Sequence, residues 1–133
     1  MKNARRACIW VVALHALTLV VHNQAHQALP VPLSTLQNAF AIGVIVVAPV
    51  LAAFLISRGA PRFGATLLVA SMFGSLVFGV VNHYVLESPD NVAQIPDTSW
   101  GGAFRWSAHL MALAEVAGMA AGAWLLRESA RAR

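Results

Sequence analysis

Four stretches of mostly apolar residues, about 9–29, 35–57, 64–86 and 103–126, each approach the roughly 20 residues that a helix needs to cross a hydrocarbon core about 30 Å thick. Little chain is left between them, and short connections make successive helices antiparallel neighbours. The expected fold is therefore an all-α integral membrane protein: one antiparallel four-helix transmembrane bundle spanning 1–133 as a single domain. Composition agrees, since 59% hydrophobic and 11% charged residues with a mean hydropathy of +0.68 lie well outside the range of soluble domains.

Charge orients the bundle. Lys2, Arg5 and Arg6 precede the first segment, Arg58 and Arg62 lie in the second connection, and Arg127, Arg131 and Arg133 follow the last segment. Arg105 alone falls on the other side. Basic residues collect on the cytoplasmic face of a membrane protein, so both termini are expected in the cytoplasm of a cell with a bacterial-type plasma membrane. The net charge of +4 is explained by topology. The basic residues lack interleaved aromatics, so nucleic acid is not an expected partner; the lipid bilayer is, with a homo-oligomer or a larger membrane complex as further options.

The basic start followed by an apolar run has the outline of a secretory signal. His15 and His22 interrupt that run, and neither Asn23-Gln24-Ala25 nor His26-Gln27-Ala28 offers a small-x-small cleavage pattern, so the segment is expected to remain as the first helix. The lone cysteine, Cys8, excludes an internal disulfide and a CxxC redox pair.

Local signals place the turns. Pro30 and Pro32 stop the first helix, Ser34 and Gln37 have the spacing of a capping box, and Pro49 is expected to kink the second helix. Glu87 to about Gly102, with Pro89 and Pro96, is the one connection long enough to fold over a site. Small residues spaced four apart, around Gly74 in the third segment and at Gly118 and Gly122 in the fourth, predict close helix contacts. Trp10, Trp100, Trp106 and Tyr84 suit the membrane interfaces.

Histidines carry the functional signal. At about 100° per residue, the spacings of His15, His22 and His26 bring the three imidazoles within roughly 20° of one line along the first helix. Ionisable groups in a membrane-length segment are costly and mark functional sites by default. His22 and His26, at i and i+4, point the same way and can chelate one metal ion. His83 falls at matching depth, and Asp90 or Glu87 can add a carboxylate from the long connection. Such a shell suits zinc, iron(II) or copper(II) better than magnesium or calcium.

Deeper in the membrane, His15 and Glu115 share a level and form a possible proton or ion site. His109 is a weaker candidate, because it lies roughly 120° around its helix from Glu115. Three functions follow: a metal centre near the outer face, for metal handling or redox chemistry; a b-type cytochrome or quinone-reactive subunit, with haem held by His22 or His26 and His83; and a non-catalytic scaffold or assembly subunit whose histidines bond to Ser75, Asn38 or Asn82.

Overall fold

The computed structural model describes residues 1–132, which form helices and connecting turns with no strand among them. Four helices, α1 (Lys2–Ala28), α2 (Thr35–Ser57), α3 (Pro61–Val85) and α4 (Ser99–Arg131), are long and apolar enough to cross a membrane. Helix α4 packs along both α1 and α3, and α2 packs along α3.

Three of the helices begin earlier than their apolar stretches, because hydropathy marks the part of a helix suited to lipid and caps mark its ends. Helix α1 runs back through Lys2, Arg5 and Arg6. Helix α3 starts at Pro61, in its first turn, where a proline has no hydrogen bond to lose. Helix α4 starts after Thr98, whose hydroxyl accepts a hydrogen bond from the Gly101 amide at 3.1 Å. The capping box at α2 is present as expected: Ser34 Oγ accepts from the Gln37 amide, and Gln37 Oε1 accepts from the Ser34 amide.

Two helices contain π-helical stretches that hydropathy does not announce. In α2, Ala41–Val47 is π-helical and Pro49 follows directly. A proline within a helix lacks an amide donor and presses on the carbonyl four residues earlier, here that of Ile45; widening the preceding turn relieves both. Pro49 thus acts through a π-helical segment. In α3 the last turn, Val81–Val85, is π-helical, and the Leu86 amide bonds the Val81 carbonyl at 2.9 Å. That turn carries Asn82, His83 and Tyr84. Gln37 Nε2 donates to Asn82 Oδ1 at 2.9 Å, tying it to the start of α2.

Close packing of α3 on α4 depends on glycine. A Cβ at Gly122 would stand 2.7 Å from Val69 Cγ2 and 3.2 Å from the Ala65 carbonyl oxygen, and one at Gly118 would stand 2.8 Å from Met72 Cγ. Small residues let the backbones approach this closely, as their spacing predicts.

Two apolar clusters hold the helices together. One joins Cys8 and Val12 of α1, Ile56 of α2, Leu68 and Met72 of α3 and Leu125 of α4. The other joins Ala25, Leu29, Val31, Ile95 and Phe104. Most buried polar residues of α1, α3 and α4 lie on the side of the first cluster that leads toward the second: His15, Thr18 and His22; Ser75, Asn82 and His83; Ser107 and Glu115. The connection from Leu86 to Thr98 folds down beside them. Ile95 enters the second cluster, Arg105 bonds the Ile95 carbonyl at 3.0 Å and Asp97 at 2.8 Å, and the Val92 amide bonds the His83 carbonyl at 2.9 Å.

Candidate metal centre

His22, His26 and His83 come together, one ring nitrogen from each lying within 4.8 Å of the others. His22 and His83 are buried and His26 is partly so. The ring centroids of His22 lie 4.8 Å from His26 and 5.0 Å from His83, and the Phe104 ring lies 4.7 to 5.3 Å from all three. Two helices build this cluster and a third backs it. Helix α1 supplies the i, i+4 pair, the π-turn of α3 presents His83, and α4 supplies Phe104 and Ser107 behind them.

Hydrogen bonds fix which nitrogen of each ring is free. His22 Nδ1 lies 2.9 Å from Ser107 Oγ, and that hydroxyl gives its single hydrogen to the Ala103 carbonyl at 2.7 Å or the Phe104 carbonyl at 3.0 Å. Ser107 therefore accepts, and His22 Nδ1 donates. His83 Nδ1 lies 3.1 Å from the Asp90 carbonyl, and His26 Nδ1 lies 3.4 Å from the Val31 carbonyl; a carbonyl only accepts, so these nitrogens donate as well. In the neutral rings the lone pair then resides on Nε2. His22 Nε2 is buried without any hydrogen-bond partner. Nδ1–H held by an oxygen with Nε2 left free is the arrangement by which proteins orient metal-binding histidines.

Asp90 is the nearest carboxylate. Its Oδ1 stands 3.4 Å from His26 Nε2 and 3.2 Å from His83 Nδ1, yet neither carboxylate oxygen has a well-aligned hydrogen bond, although both are buried. A buried carboxylate is costly unless something positive compensates it. Two donors about 2.1 Å from a tetrahedral ion stand roughly 3.4 Å apart. That is the separation of Asp90 Oδ1 from His26 Nε2, whereas the ring nitrogens, up to 4.8 Å apart, have to close in around an ion.

The other sequence candidates fall elsewhere. His15 Nε2 lies 3.5 Å from Glu115 Oε1, and Ser75 Oγ donates to the same oxygen. Both His15 and Glu115 are 2% exposed, so they form a separate inner pair. His109 is exposed and its Nδ1 lies 2.6 Å from the Tyr84 hydroxyl, outside the cluster; Glu87 is exposed and joins neither group. The histidine partners expected of a scaffold are not those observed. Ser75 serves Glu115, Asn82 accepts from Gln37 and donates to the Phe78 carbonyl, and Asn38 bonds the Leu33 carbonyl.

Ser107, Phe104 and the π-turn escape the sequence reading. Ser107 alone has a signal there, as a small polar residue in the fourth apolar stretch at the depth of His22. A cavity of about 330 Å³ opens beside the cluster, lined among others by His22, His26, His83 and Asp90 and reaching Ser75 and Glu115. Compared with known protein families, curated proteins and solved structures, the chain matches none of them.

Proposed function

We propose that the chain is an integral membrane protein that holds a transition metal ion through the Nε2 atoms of His22, His26 and His83, with Asp90 completing the shell. The observation that carries this reading is the buried, partnerless Nε2 of His22 beside two further imidazoles and a buried carboxylate without a well-aligned hydrogen bond. A metal cation satisfies all of these acceptors together. Three imidazoles and a carboxylate suit zinc, iron(II) or copper(II), for metal handling or for chemistry at the ion.

Membrane insertion is supported by what the helices leave outside. Trp10, Leu17, Leu36, Phe63, Trp106 and Leu113 are each at least 66% exposed, and a third or less of each span's apolar window is buried. A surface this apolar needs lipid or a partner to cover it. In our reading the four helices form one antiparallel domain with both termini cytoplasmic, and the metal centre lies toward the outer face.

Ring packing favours an ion over haem. With Phe104 about as close to each imidazole as the imidazoles are to one another, no flat space for a macrocycle remains between them. Elemental analysis and an absorption spectrum of detergent-purified protein test the proposal. Near-stoichiometric metal in the wild type, lost in the His22→Ala, His26→Ala double variant, is expected. A sharp reduced haem band would overturn it, and so would equal metal content in the two proteins.

A further inference from the structure

The cavity beside the histidines is chemically divided. Its volume of about 330 Å³ is within the size range of small-molecule sites. It is more than twice the roughly 150 Å³ of an apolar cavity that admits benzene. At one end stand the histidines and Asp90, at the other Ser75 and Glu115, and between them the wall includes Ile45, Phe78 and Met111. Both π-helical stretches border it, through Ala41 and Ile45 on one side and His83 and Tyr84 on the other.

The two polar ends differ in level by about 10 Å, the rise over the seven residues from His15, beside Glu115, to His22. A six-membered ring with para oxygens about 5 Å apart, a metal–oxygen bond of about 2 Å and a hydrogen bond of about 2.7 Å together reach about 10 Å, the same order as that difference in level.

Resting on the metal centre proposed above, we infer that this cavity binds a neutral aromatic ring with oxygens para to each other, of the hydroquinone class. One oxygen reaches the metal ion as a fifth ligand beside the three imidazoles and Asp90, and the far hydroxyl donates to Glu115, which Ser75 and His15 hold in place. The ring lies against the apolar wall formed in part by Phe78 and Met111. A fully apolar ligand would leave both ends without partners, and a charged one would cross an apolar wall to reach Glu115.

Cobalt(II)-loaded protein in detergent micelles, kept anaerobic, tests this with methylhydroquinone as the probe. The visible cobalt band reads the metal, and its change on titration reads the ring oxygen arriving. A saturable change is expected, at least tenfold weaker with 4-methylphenol, which lacks the oxygen for Glu115, and absent with toluene. Ala112→Phe and Gly79→Val fill the cavity and should weaken methylhydroquinone binding at least tenfold while the cobalt band persists. At Gly79 a Cβ makes one ordinary contact, with His83 Cδ2 at 3.8 Å, so this variant should fold even if the Ala112 variant does not, and its cobalt band shows that the His83 ring has kept its place. A wild-type cobalt band that does not respond to methylhydroquinone overturns the ligand and leaves the metal centre intact, as does an equal response in the Gly79 variant. No cobalt band in the wild type overturns the metal centre and the ligand together.

Discussion

His22 and Ser107, 85 residues apart in the chain, are joined by a 2.9 Å hydrogen bond that fixes which nitrogen of His22 is free. The serine bonds its own helix through the Ala103 and Phe104 carbonyls, so the imidazole is held against a rigid acceptor. Ser107→Ala removes that acceptor without touching a metal ligand. Metal affinity should fall by about 10- to 100-fold, the usual effect of losing the outer partner of a metal-binding histidine. Competition against a chelator of known affinity measures it, and unchanged affinity would show that the bond serves only to join α1 to α4.

The sequence places Asp90 with the metal-binding histidines and offers Glu87 and His109 as weaker candidates, and their surroundings separate them in the same order. Asp90 sits buried between His26 and His83, whereas Glu87 and His109 are exposed. Asp90→Ala should weaken metal binding at least as much as Ser107→Ala, since it removes the one carboxylate placed among the proposed ligands. Glu87→Ala and His109→Ala should leave it unchanged within about twofold, because an exposed group contributes little through solvent. Metal loss in either of those two variants would move the site away from Asp90.

Much of this arrangement is legible from the residues, for reasons specific to each. Four apolar stretches and short connections announce four long helices, because span length is set by hydropathy and rise per residue. That His15, His22 and His26 share one face follows from their spacing, as does the capping box at Ser34, and the turn of that face toward the protein follows from the cost of imidazoles in lipid. His83 was placed by depth, a coarse coordinate that suffices when a helix ends at the same level. What depth does not supply is orientation within a π-turn: an extra residue per turn shifts the faces of Asn82, His83 and Tyr84, and no periodicity rule foresees it. Nor can spacing within one helix reveal that Ser107 faces His22 or that Ser75 faces Glu115. Those pairings arise from how α4 sits between α1 and α3, and they depend on glycines whose role emerges only with their neighbours.

Gly122 tests that dependence. Its missing side chain leaves room for Val69 Cγ2 and for the Ala65 carbonyl, and a backbone oxygen cannot step aside as a flexible side chain can. Gly122→Leu should separate α3 from α4 and destabilise the protein by about 1–3 kcal/mol, the usual range for overpacking a close contact. Gly102→Ala, where a Cβ meets nothing within 4 Å, is the control and should be nearly neutral. Thermal unfolding in detergent compares them, and equal melting temperatures would mean that the α3–α4 approach has slack.

The inner pair poses a different energetic question, because its members depend on one another. Glu115 is the acceptor for the Ser75 hydroxyl and stands 3.5 Å from His15 Nε2, which has no other partner. Glu115→Leu removes the acceptor and strands two buried polar groups, each costing about 1–3 kcal/mol when left unsatisfied. A clear drop in melting temperature is expected. Glu115→Gln keeps an amide oxygen for Ser75 and should cost less. Replacing the whole set, with His15→Leu, Ser75→Ala and Glu115→Leu together, leaves nothing unpaired, and by the same reasoning should recover most of the loss or exceed the wild type. If the triple variant is the least stable of the three, the inner layer is held by shape and not by its hydrogen bonds. If it is stable yet no longer binds methylhydroquinone in the cobalt-loaded form, the polar groups at this depth serve the ligand at the expense of the fold.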